Sequence, residues 1–107
     1  MSEDNLSELK KQISDFVQER DWKKYHNPKD LAISISIESS ELLEHFQWRD
    51  KASMDEQIKT NLEDIKDEMA DVYIYLLELS DLLGVDLISA AKNKVEKNVK
   101  KYPVGRK

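Results

Sequence analysis

The chain has 107 residues, enough for one hydrophobic core and too few for two, so a single domain spanning 1–107 is expected. Its 22 Asp+Glu against 17 Lys+Arg leave a formal net charge of -5, which argues against a nucleic-acid groove, because such a groove needs surplus positive charge facing the phosphates. Cysteine is absent, which excludes disulfides, thiolate zinc sites, iron–sulfur clusters and cysteine nucleophiles. No apolar run approaches the roughly 20 residues that cross a bilayer. The opening MSEDNLSELKKQ is too polar for a secretory signal, so a soluble cytoplasmic protein without a membrane partner is expected.

Two glycines and two prolines are too few for a turn-rich β protein, and 36% of the residues are charged. Few breakers with abundant Glu, Lys, Leu and Ile indicate long helices with wet outer faces. The first helix is expected to open at Asn5, with Glu8 completing a capping box. Leu6, Leu9, Ile13, Phe16 and Val17 line one face at helical spacing, and the pattern decays through Arg20-Asp21-Trp22 and Tyr25-His26. Asn27-Pro28 then supplies a cap and a first-turn proline for a second helix. Within it, Ala32 to Ile37 alternates with period two, as a half-buried strand would. A lone strand would have no partner, however, and Leu31, Ile35, Leu42 and Phe46 carry a helical stripe through the run.

Ser53 with Glu56 forms the capping box expected to open a third, long helix. Its seam is Ile58, Leu62, Ile65, Met69, Val72, Leu76, Leu79 and Leu83, spaced alternately by four and three. Gly84 ends it, and Asp86 caps a fourth helix whose Ile88, Ala91, Val95 and Tyr102 are expected to face inward until Pro103 and Gly105. The expected fold is all-α, a four-helix array forming an oligomeric bundle, with a short polar tail.

Acidic residues recur at i,i+3 in Glu38/Glu41, Glu41/Glu44, Asp64/Asp67, Glu68/Asp71 and Glu78/Asp81. So acidic a chain gives nearly as many by chance, and position is the better guide. Glu38 falls on the apolar stripe between Ile35 and Leu42, where a carboxylate is costly unless a cation or hydrogen bonds compensate. Glu41 is its neighbour one turn on, and Glu68 and Asp71 flank the seam of the long helix. Side-by-side packing of the two helices would gather four carboxylates, which repel one another unless a divalent cation sits among them. All-oxygen ligands suit Mg²⁺ or Mn²⁺. The plain alternative is that these acids are solvated helix faces, but Glu38 breaks the pattern of its own helix, and broken local rules tend to mark sites. Trp22, Tyr25, His26, Phe46, Trp48, Tyr73 and Tyr75 offer flat rings that could stack a base, although filling a core is the more ordinary use of such residues. The Glu-x-x-His pairs of a di-iron bundle are missing, as are a glycine-rich phosphate loop, a serine triad and a dinucleotide fingerprint.

Glu38-Ser39-Ser40-Glu41 followed by Glu68-Met69-Ala70-Asp71 resembles the ExxE…ExxD signature of the MazG-like all-α nucleoside triphosphate pyrophosphohydrolases. Four further segments are similar to the dCTP pyrophosphatase branch and its integron-associated bacterial relatives. They are Glu19-Arg20-Asp21-Trp22 with His26-Asn27-Pro28, Glu41 to Trp48, Asp71 to Leu76, and the closing Lys94…Asn98…Lys101-Tyr102-Pro103-Val104. The resemblance implies that Glu38, Glu41, Glu68 and Asp71 hold Mg²⁺, with Mn²⁺ as a possible substitute. It implies Trp22, His26, Trp48 and Tyr75 around base and sugar, and Lys94, Asn98, Lys101 and Tyr102 near the phosphates. It also implies sites built between subunits, in a homotetramer arranged as a dimer of dimers. Some relatives carry a polar pocket residue where this chain has Ile13, so base preference transfers least.

The expected function is therefore Mg²⁺-dependent hydrolysis of a nucleoside triphosphate, dCTP or a related deoxynucleotide, to monophosphate and pyrophosphate. Water would attack the α-phosphorus with Glu38 or Glu41 as the catalytic base. Two alternatives stand beside it: a non-catalytic helical module that pairs through the long seam, or the same chemistry on dUTP or phosphoribosyl-ATP.

Overall fold

The computed structural model describes residues 2–105, and they contain four α-helices and no strand. These are α1 (Ser2–Glu19), α2 (Pro28–Glu44), α3 (Lys51–Leu83) and α4 (Leu87–Lys101), with a short 3₁₀ turn at Lys23–Tyr25. The all-α expectation holds, and the alternating isoleucines of 32–37 are helical. Asn27 accepts a hydrogen bond from the Asp30 N–H at 2.9 Å, and Pro28 occupies the first turn, so α2 is nucleated from its own sequence.

Two helix starts differ from expectation. The first helix begins at Ser2, which leaves Asn5 inside it, an interior position that costs only a fraction of a kcal/mol (about 0.5) relative to alanine. The long helix is capped by Asp50, whose carboxylate accepts from the Ser53 N–H at 2.9 Å, so Ser53 is the recipient of the cap. An aspartate three residues upstream out-competes the serine hydroxyl because a charged acceptor is the stronger partner of an orphan N–H. Within α3, Asn61 has non-helical angles (φ -123°, ψ 28°), and the helix kinks there. The kink is braced by polar side chains: Asn61 Nδ2 donates to Gln57 Oε1 at 2.6 Å, and buried Gln57 lies 3.0 Å from His45 Nδ1 at the end of α2.

The two C-termini that matter are built alike. Gly84 (φ 69°) ends α3, with the Val85 N–H reaching back to Ser80 O at 2.8 Å. At the end of α1 the same pattern uses Asp21 (φ 55°), with the Trp22 N–H donating to Val17 O and Asp21 N–H to Gln18 O, both at 3.0 Å. The backbone at Trp22 is thereby turned back onto the last turn of α1.

Packing is uneven. Helix α2 lies along α3, and α1 makes a smaller contact with α3. The apolar side chains that become buried are Val17, Leu31, Ile65 and Leu77. Half of the expected seam turns outward: Ile58, Leu62, Met69 and Leu83 are 45–56% exposed. Helix α4 was expected to face inward, yet none of its side chains is buried, and Ile88, Val95 and Tyr102 are 45%, 60% and 68% exposed. Its stripe is genuine, but it has nothing to rest on within one chain. The radius of gyration, 17.0 Å, accordingly exceeds the roughly 13 Å of a compact globule of this length.

Candidate active site

The α2/α3 contact brings carboxylates from both helices together. One oxygen from each of Glu38, Glu41 and Glu68 falls within 4.8 Å of the others, the spacing a metal ion requires. Asp71, one turn beyond Glu68, stands just outside that group, but its charge acts on both Glu38 and Glu68. Glu38 and Glu68 are half-buried, and Oε2 of each is shielded from solvent without a hydrogen-bond partner. Loss of water pushes the Glu38 carboxyl up to about 7, helped by the carboxyls of Glu41 and Glu68 and by the charge of Asp71. Glu68 is raised as well, chiefly by burial. A set of hard oxygen donors with orphaned, mutually repelling atoms fits a divalent cation better than it fits water.

Beside this cluster lies a cavity of about 370 Å³, open to solvent and walled by α1, the Trp22 turn and α3. Asp71 stands at one end, and Tyr75, then Glu78, follow at successive turns of α3. Phe16 and Trp22 form an edge-to-face pair with centroids 5.5 Å apart, leaving Trp22 44% exposed at the rim. Burial raises the Tyr75 hydroxyl above its ordinary range, with the charges of Glu38, Glu78 and Asp71 adding to it, so the phenol stays protonated as a donor. His26 lines the same space, its Nδ1 3.3 Å from Glu78 Oε1.

The other sequence candidates lie elsewhere in the chain. Trp48 sits at φ 66° in a tight turn closed by the Arg49 N–H to Phe46 O, and is 93% exposed. A bulky aromatic in this region costs roughly 1–2 kcal/mol. Lys94, Asn98, Lys101 and Tyr102 are exposed on or just after α4, and none of them lines this cavity. Glu78, Phe16 and Gln12 line it without having stood out in the sequence as pocket residues. The signal for Glu78 was an acid inside Leu76-Leu77-Glu78-Leu79, one turn past Tyr75.

The MazG-like family model matches residues 33–107, the span holding all four acids. The chain belongs to the MazG-like family. Its sequence is 35% identical to dCTP pyrophosphatase 1 of Rattus norvegicus over 104 residues, covering 95% of this chain. It is 33% identical to the protein of that name from Homo sapiens over 103 residues, covering 94%. The chain spans 61% of the length of each of these relatives. A crystal structure of a pyrophosphatase from Archaeoglobus fulgidus superimposes with a TM-score of 0.88 at 46% identity, covering 92% of this chain and 93% of that one. The helical architecture is thus shared with a solved pyrophosphatase. Among the described residues, no helix is long and apolar enough to cross a membrane.

Proposed function

We propose that the chain is a nucleoside triphosphate pyrophosphohydrolase acting on deoxynucleotides, dCTP foremost, as a soluble cytoplasmic enzyme that removes them from the nucleotide pool. The observation that carries this is the convergence of carboxylate oxygens of Glu38, Glu41 and Glu68 within 4.8 Å of one another, beside a cavity lined by Asp71 and by the rings of Phe16, Trp22 and Tyr75. The four acids would hold Mg²⁺, or Mn²⁺ in its place. When bound, the ion supplies charge neutralisation and Lewis acidity toward phosphoryl oxygens. The side chains do the rest. Glu38 or Glu41 takes the proton of the water that attacks the α-phosphorus, and the bond from that phosphorus to the bridging oxygen breaks, releasing pyrophosphate. Trp22 and Tyr75 offer ring faces for the base, a contact worth about 1–3 kcal/mol.

The exposed stripe of α4 and the 93% exposed Trp48 support a homo-oligomer in which these surfaces and Lys94, Asn98, Lys101 and Tyr102 are completed by a second copy, and the family resemblance suggests a dimer of dimers. The interaction-module alternative accounts for the stripe but leaves the buried, partnerless oxygens of Glu38 and Glu68 without a reason. A panel of triphosphates, with dCTP, dUTP and phosphoribosyl-ATP among them, assayed for pyrophosphate with and without Mg²⁺, tests the proposal. Equimolar pyrophosphate and monophosphate are expected. Release of orthophosphate, or turnover that survives in both Glu38→Gln and Asp71→Asn, overturns it.

A further inference from the structure

The polar floor of the cavity is not explained by the hydrolytic chemistry. Glu78 faces it from α3 with its side chain only 11% exposed. One oxygen lies 3.3 Å from His26 Nδ1, and the other, Oε2, is shielded from solvent with no hydrogen-bond partner. Burial raises this carboxyl and the charge of His26 works against the rise. A carboxylate held by a histidine is a fixed acceptor on the wall of this cavity, whose other polar groups include Gln12, His26 and, seven residues back along α3, Asp71, and an orphan acceptor there is costly until something donates to it.

Its position says what the donor is. Glu78 lies seven residues beyond Asp71, about 10 Å along the helix axis, with Tyr75 between them on the same wall. A nucleotide with its phosphates at the acids and its base alongside Tyr75 would turn the far edge of the base toward Glu78. A carboxylate accepts from the exocyclic amino group of cytosine and repels the carbonyl oxygen that uracil and thymine carry at the same place.

We infer that Glu78, oriented by His26, is the specificity-determining residue of the cavity, accepting a hydrogen bond from the amino group of an aminopyrimidine base and rejecting its keto counterpart. This deepens the proposed pyrophosphohydrolase reading and rests on it.

The test compares kcat/KM for dCTP, dUTP and the triphosphate of the 4-deamino analogue, 2-pyrimidinone deoxyribonucleoside, in the wild type and in Glu78→Gln. The wild type is expected to prefer dCTP over both others by at least about tenfold, as loss of one hydrogen bond to a charged acceptor requires. The glutamine amide can donate as well as accept, so the dCTP to dUTP ratio should fall toward unity, mainly through KM. His26→Gln, which frees the carboxylate, should move the ratio the same way by less. Because the analogue comparison uses only the wild type, a variant that fails to fold does not protect the idea. A wild type that handles the three alike, or a folded Glu78→Gln with an unchanged ratio, overturns this inference alone. A wild type that releases no pyrophosphate from any triphosphate overturns the hydrolase reading, and this inference with it.

Discussion

Glu38 is where local chemistry departs furthest from the ordinary. Its folded carboxyl is raised to about 7 from 4.5, so the folded state binds the proton more tightly than the unfolded chain does. The resulting stabilisation is complete below about pH 4.5 and is lost as pH rises through 7. Metal-free protein in chelator should therefore melt at a progressively lower temperature between pH 5 and pH 8. Saturating Mg²⁺ should flatten that slope, because the ion favours the ionised carboxylates. Glu38→Gln, which cannot ionise, should show a much shallower slope without metal and lose about 10²-fold or more in turnover, the usual worth of a general base. A pH-independent melting point in the chelated wild type would contradict the shift. This residue was legible in the sequence because it replaced a leucine on an otherwise regular stripe. Glu78 was not, because an acid among leucines on a helix that also exposes much of its surface carries no mark of which side it faces.

At the level of elements, caps and breakers were read well where one residue type had no competitor. Asn27-Pro28, Gly84 and Asp86 each act as the sequence suggests, and Asp86 accepts from the Ser89 N–H at 3.2 Å. Where two polar residues could cap, as Asp50 and Ser53 could, the carboxylate takes the position because its charge makes it the stronger acceptor. Asp50→Ala should cost about 1 kcal/mol, measured by chemical denaturation, whereas Ser53→Ala should leave the cap in place and cost less. Leu31, 2% exposed, anchors α2 on the rest of the chain. Leu31→Ala should cost about 2–5 kcal/mol, and because the same packing joins Glu38 and Glu41 to Glu68, it should weaken Mg²⁺ stabilisation as well. The kink at Asn61 was not legible, since it depends on the His45–Gln57–Asn61 chain of side chains that only the folded contact assembles.

The whole molecule answers a question that no single stripe can. Periodicity identified apolar faces on α3 and α4, but a sequence does not say whether a face meets its own chain or another copy. In the folded protomer, Ile88, Val95, Val99 and Tyr102 stay 45–68% exposed along one helix, with Met69, Tyr73 and Trp48 bare elsewhere. Contiguous apolar surface is uncommon on a soluble monomer, and a stripe of this kind is what a partner surface would cover. A second copy is the proposed occupant, because Trp48 holds a strained backbone for a ring left 93% exposed, and α4 carries Lys94, Asn98 and Lys101, which the family resemblance places near the phosphates. Sedimentation should then find wild-type protein well above the 12.5 kDa of one chain at micromolar concentration. Replacing Val95 and Val99 together by lysine should return it to 12.5 kDa. Lysine is a good helix former, and α4 buries nothing at these positions within the protomer, so the helical circular dichroism should persist. Pyrophosphate release should fall with the assembly, even though the substituted side chains line neither the carboxylate cluster nor the cavity. A wild type that sediments as a single chain and still turns over would show that one protomer suffices, and would return the stripe of α4 to some other partner.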